Sequence, residues 1–135
     1  MSLRASLSPS VLAIASLSAC MPTGGDDVAR AEFKPVYGGI QTVLLDGDLV
    51  NFHVSMKGAR DRSDVDTYAR CAAAQYALIR GASFTRHVRT SIAQTGGNWR
   101  GDAVYTISKE LPRGSATIDA EVTVRDCGEQ GIPTI

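Results

Sequence analysis

The chain has 135 residues, of which 14 are basic and 14 are acidic, so its formal net charge at pH 7 is zero. That length suits a single domain. The balanced charge provides neither the basic patch that nucleic acid requires nor an acidic tail, so we expect no nucleic-acid partner.

The N-terminal segment has the layout of a secretory signal. Arg4 supplies a positive charge, an apolar or small-residue run covers Leu7 to Leu17, and small residues precede Cys20. The run is too short to span a bilayer, which takes about 20 apolar residues. We therefore expect residues 1–19 to be a signal peptide that is removed.

The sequence Leu17-Ser18-Ala19-Cys20 resembles the lipobox of bacterial lipoproteins. The resemblance implies cleavage before Cys20 and acylation of that cysteine, and two or more acyl chains hold a protein firmly on a membrane. Met21 stands where an Asp would favour the inner membrane, which points to the outer membrane. The alternatives are an unlipidated periplasmic protein cleaved at the same place and a short buried helix. The expected location is the cell envelope, facing the periplasm.

Composition divides the rest of the chain into three parts. Residues 20–36 are rich in Pro, Gly and Asp and predict a flexible tether. Residues 37–128 predict one folded domain, and residues 129–135 predict a loose C-terminal tail.

The cysteine count predicts one disulfide. With Cys20 taken by lipid, Cys71 and Cys127 remain as an even pair in an oxidising compartment. A pair of free or catalytic thiols is the alternative, although the spacing is not the C-x-x-C of redox enzymes.

A β-hairpin is expected at the start of the domain. The run Ile40 to Leu45 ends in Asp46-Gly47, a strong hairpin signal. The following run, Leu49 to Lys57, alternates apolar and polar residues, as a half-buried strand does.

An amphipathic helix follows the hairpin. We predict that it begins at Ser63 as N-cap and ends near Arg80, before Gly81. Its expected core face consists of apolar residues at helical spacing: Val65, Ala69, Ala72, Tyr76 and Ile79.

Three further strands are predicted after the helix: Ser83 to Ile92, Gly101 to Glu110, and Ser115 to Arg125. The last has the cleanest period-two pattern. The predicted fold is therefore α+β with element order ββαβββ, a mostly antiparallel sheet with one amphipathic helix packed on one face.

The passage from Arg70-Cys71-Ala72 through Arg80-Gly81 to Phe84 is similar to a segment of small alphaproteobacterial lipoproteins of unknown function. This resemblance implies an envelope location and no known activity.

Candidate metal ligands lie on the predicted outward faces of strands. They are His53, His87, Asp119 and Glu121. Whether they meet depends on the strand order, and polar residues on the outer face of a sheet are usually only solvated. No metal is assigned on this basis.

No catalytic motif stands out in the sequence. There is no G-x-S-x-G elbow and no phosphate-binding glycine loop, so we predict neither an enzyme nor a cofactor. Trp99, Arg100 and Tyr105 form a candidate contact patch, as does the row from Thr85 to Ser91.

Composition and anchor together predict a non-enzymatic, lipid-anchored envelope protein that binds or supports another envelope component. A periplasmic small-molecule or metal-binding module is the alternative, and a small hydrolase is a third.

Overall fold

The computed structural model describes residues 33–114 and 116–135. The predicted signal peptide, Cys20 and the tether up to residue 32 lie outside the described residues. None of the helices in the described residues is long and apolar enough to cross a membrane.

The described residues form an α+β domain with five strands and two helices. These are β1 Val36–Leu44, β2 Leu49–Lys57, α1 Arg62–Ile79, β3 Phe84–Thr95, β4 Asn98–Ser108, β5 Thr117–Asp119 and α2 Ala120–Glu129. The strands form one antiparallel sheet in the order β1-β2-β4-β3-β5. The predicted fold class and antiparallel sheet are confirmed.

The β1–β2 hairpin forms where Asp46-Gly47 predicted it. Gly47 has φ +62°, a left-handed conformation that glycine adopts without steric cost. In β2 the expected alternation holds, because Val50, Phe52 and Val54 are buried while His53 is exposed.

Helix α1 covers one face of this sheet. It begins two residues earlier than predicted, because Asp61 and not Ser63 is the N-cap, and the Asp61 carboxylate accepts a hydrogen bond from the Ser63 amide at 2.9 Å. Gly81 follows its end with φ +72°, as predicted. Ile79, expected in the core, is 58% exposed.

Small residues let α1 lie close to the sheet. Ala69, Ala72 and Ala73 are fully buried on the helix. On β4, a Cβ added at Gly101 would lie 2.8 Å from Val65 Cγ1, so glycine is needed where the helix and sheet meet. Larger side chains of β2 and β4 then fill the space around this contact.

The predicted strand Ser115 to Arg125 is wrong over most of its length. Only Thr117–Asp119 is a strand, and the chain then enters α2. The Asp119 carboxylate accepts a hydrogen bond from the Val122 amide at 3.0 Å and caps the helix. The predicted single helix is therefore accompanied by a second, short one.

The two helices are joined by the predicted disulfide, Cys71–Cys127. Both cysteines are buried. The segment 129–135, predicted to be a loose tail, makes contacts with the domain. The Ile132 amide donates to the Cys127 carbonyl at 2.9 Å, and the Ile132 side chain packs on the core.

Candidate functional site

The face of the sheet away from α1, here called the open face, contains a groove of about 720 Å³. Neither helix of the described chain packs on this face. All four long strands contribute to the groove walls: Gly38 to Gln41, His53 to Ser55, Ser91 to Ala93, and Arg100 to Asp102.

The strand register places one row of polar side chains across the groove. Gln41 pairs with His53, His53 with Asp102, and Asp102 with Ser91. Directly opposed residues of antiparallel strands point to the same face, so these four side chains share the open face.

A second row lies beside the first. It runs from Gly39 through Ser55 and Arg100 to Ala93. Glycine and alanine occupy its two ends, which leaves room above the sheet. A Cβ at Gly39 would meet nothing within 4 Å, so the absent side chain here opens space and does not serve packing.

The groove contains charges of both signs. Asp102 Oδ1 lies 3.7 Å from Arg89 Nη1, too far for a hydrogen bond, and it has no hydrogen-bond partner although it is shielded from solvent. Arg100 forms no ion pair within residues 33–114 and 116–135.

A buried side-chain amide, that of Asn51, lies next to the first row. Asn51 is only 8% exposed, and its Oδ1 has no hydrogen-bond partner. It pairs with Val104 of β4 and Val43 of β1, so it points to the open face just beyond the groove. Orphaned buried acceptors are rare in folded proteins, so the free Asn51 oxygen beside the groove is an acceptor that a bound group could satisfy.

His53 and His87, the two candidate metal ligands, are not brought together. His53 faces the groove, whereas His87 pairs with Tyr105, and their rings stack edge-on at 5.2 Å. Tyr105 belongs to the core beneath α1, where burial raises its pKa to about 12. The two histidines therefore lie on opposite faces of the sheet.

The cause of this separation is a β-bulge between His87 and Arg89. It reverses the alternation of β3, so that Thr85 and His87 point to the α1 face while Arg89 and Ser91 point to the open face. Val88, at the bulge, is 52% exposed. The predicted polar row from Thr85 to Ser91 is thus divided between the two faces.

The other candidate residues are also separated. Asp119 caps α2 and Glu121 lies in its first turn, away from both histidines. Within the described residues, no three His, Cys, Asp or Glu side chains are grouped so that they would hold a metal ion. The candidate contact patch of Trp99, Arg100 and Tyr105 is also divided. Only Arg100 faces the groove, because Trp99 and Tyr105 pack on the core.

The first row contains a serine, a histidine and an aspartate, the three residue types of a serine-hydrolase triad, but their order across the strands does not suit catalysis. A triad needs the histidine between the serine and the carboxylate. Here Asp102 lies between Ser91 and His53. With strands about 4.8 Å apart, Ser91 and His53 are about 10 Å apart along the sheet, beyond direct hydrogen-bond reach.

A second cleft, near Phe33, contains an ion pair between Arg60 and Asp64. Arg60 Nη2 lies 2.8 Å from Asp64 Oδ1, and its guanidinium stacks 3.8 Å from the Phe33 ring centroid. The hydrogen bond from Arg60 lowers the pKa of the Asp64 carboxyl. Because Arg60 and Asp64 satisfy each other, we take the open-face groove as the better candidate for a binding site.

The structure defines a small α+β domain with a groove on the face of its sheet that neither described helix covers. By sequence, residues 37–131 match the family described as the YNQ4 C-terminal domain, and the chain belongs to this family.

A relative from Paracoccus denitrificans, described as an uncharacterized 26.9 kDa protein in the nqo8 5′ region, is 33% identical over 85 residues. The aligned part is 63% of this chain and 33% of the relative, so the chain spans about a third of that protein's length. No solved structure matches the chain.

Proposed function

We propose that the chain is a lipid-anchored, non-enzymatic protein of the cell envelope whose domain binds another envelope component through the open face. The observation that carries the binding role is the groove, in which polar and charged side chains from four strands converge without satisfying one another. Concave sites with a few converging polar groups are the usual form of a binding site.

The anchor rests on the sequence around Cys20. Leu17-Ser18-Ala19-Cys20 follows an apolar segment and resembles a lipobox, and the Cys71–Cys127 disulfide suits a compartment outside the reducing cytosol. With Met21 after the cysteine, we place the protein on the periplasmic side of the outer membrane in preference to the inner one.

A periplasmic small-molecule-binding module is the second candidate. It would use the same groove, whose volume falls within the ordinary range for small-ligand sites. The separation of His53 from His87 favours an organic ligand over a metal ion in this groove.

The anchor is tested by replacing the cysteine. Cys20→Ser removes the thiol that would carry the lipid, so we expect complete loss of radiolabelled fatty acid and accumulation of uncleaved precursor in cells. Ser16→Ala, in the same segment but outside the lipobox, is the matched control and should label like the wild type. Labelling that persists in Cys20→Ser, or is absent from the wild type, would refute the lipid anchor.

A further inference from the structure

Two side chains of opposite charge lie side by side in the groove. Arg100 and Asp102 are two residues apart on β4 and both face the open side, opposite Ser55 and His53 of β2. Two residues along a strand span about 6.6 Å, so a ligand of a few atoms reaches both charges at once.

Asp102 keeps binding capacity that the domain does not use. Its side chain is 40% exposed, although its Oδ1 is shielded and lies 3.7 Å from Arg89. An ion pair this long, with an Arg89 side chain that is 55% exposed, contributes little stability. The exposed part of the carboxylate remains able to accept hydrogen bonds from a ligand.

Arg100 offers the complementary group. It is exposed and has no ion-pair partner in the part of the chain that the structure describes. A guanidinium presents two parallel N–H donors that match the two oxygens of a carboxylate. Arg100 thus provides a positively charged hydrogen-bond donor, and the neighbouring Asp102 provides a negatively charged acceptor.

We propose that this groove binds a zwitterionic group, in which a primary ammonium and a carboxylate are a few atoms apart, as in a free amino acid or a short peptide. Asp102 accepts hydrogen bonds from the ammonium and Arg100 donates to the carboxylate. A simple anion would be repelled by Asp102, and a simple cation by Arg89 and Arg100. This inference rests on the proposed binding role of the open face and specifies its ligand.

The surroundings suit such a ligand. Gln41, Ser55 and Ser91 supply neutral donors and acceptors around the two charged groups. Gly38 and Gly39 leave one end of the β1 side of the groove without side chains. The groove volume of about 720 Å³ holds a dipeptide with room for water.

The test is calorimetric titration of the full chain in detergent with dialanine, N-acetyl-dialanine and dialanine amide. We expect dialanine to bind, and loss of either terminal charge to weaken binding roughly tenfold or more, since one charge-assisted hydrogen bond contributes that much. Asp102→Asn should weaken dialanine binding by the same factor. It should not weaken binding of N-acetyl-dialanine, an anion that no longer faces the Asp102 charge in this variant and should bind at least as well as to the wild type. Arg100→Gln should likewise weaken dialanine binding, whereas dialanine amide, a cation, should bind this variant at least as well as it binds the wild type.

Asp126→Asn, an exposed carboxylate on α2, is the matched control and should bind dialanine like the wild type. Thermal unfolding of each variant establishes that it is folded before titration. The inference is overturned if dialanine does not bind at tens of millimolar, if the capped peptides bind equally well, or if Asp102→Asn has no effect. If groove-specific crosslinks still form in cells in that case, the binding role stands and only the zwitterionic ligand is refuted.

Discussion

Replacing Cys71 and Cys127 together with alanine is expected to lower the free energy of unfolding by about 4 kcal/mol. The two cysteines are 56 residues apart, and the disulfide closes a loop that includes the second half of α1 and all of β3, β4 and β5. Cross-linking so long a loop restricts the unfolded chain strongly. Alanine fills the buried sites without adding an unpaired hydroxyl.

Urea unfolding of the double variant and the wild type, followed by circular dichroism, measures this change. Wild-type protein treated with a reductant is the matched control, because it loses the same bond without any substitution, and it should lose a similar free energy. A difference between oxidised wild type and double variant of less than about 1 kcal/mol would show that the disulfide does not hold the two helices together in solution.

Phe52→Ala is expected to cost about 3 to 5 kcal/mol of folding free energy. Phe52 is fully buried at the centre of β2 and contacts the rings of Tyr76 and Tyr105 edge-on, at centroid distances of 5.7 and 6.0 Å. Its removal leaves a cavity between α1 and the sheet. The neighbouring helix face includes Ala69, Ala72 and Ala73, whose short side chains cannot reach into the space.

The same urea titration tests this prediction. Val36→Ala is the matched control, because Val36 is also an apolar strand residue but is 59% exposed, so its truncation should cost no more than about 0.5 kcal/mol. If Phe52→Ala and Val36→Ala cost the same, the core does not lie between α1 and the sheet as described.

Local sequence patterns predicted the elements that have one face in the core and the other face away from it. Strand β2 has one face in the core and one in the groove, so its alternation from Val50 to Met56 is visible in the sequence. Helix α1 was predicted from Val65, Ala69 and Ala72, which recur at helical spacing and are all buried. The disulfide was predicted from the cysteine count together with the expected lipidation of Cys20, which leaves Cys71 and Cys127 as an even pair.

The C-terminal element was mispredicted because two periodicities coexist in it. Ala120, Val122 and Val124 alternate like a strand, but Ala120, Val124 and Cys127 also have helical spacing, and these three face α1. The Asp119 cap and the distant contact with Cys71 favour the helix. The contact between Cys127 and Cys71 joins residues that are distant in the sequence, so a local sequence pattern cannot predict it.

The groove was only partly predictable for a related reason. His53 was correctly expected on a polar face, yet its neighbour Asp102 depends on β2 pairing with β4, which the sequence order does not reveal. Likewise, the bulge after His87 moves that residue to the α1 face, and no glycine or proline marks it. Arg100 was predicted only as part of the candidate contact patch with Trp99 and Tyr105, which in the structure lie on the opposite face of the sheet from Arg100.

The most direct test of the account is photocrosslinking from the open face in living cells. A photoreactive amino acid replaces His53 in the groove or, as the matched control, exposed Glu121 on α2. We expect the His53 position alone to capture one envelope component, identified by mass spectrometry, whose purified form binds wild-type protein and competes with dialanine. Equal capture from both positions, or only abundant bystanders from His53, would contradict a binding role for the open face.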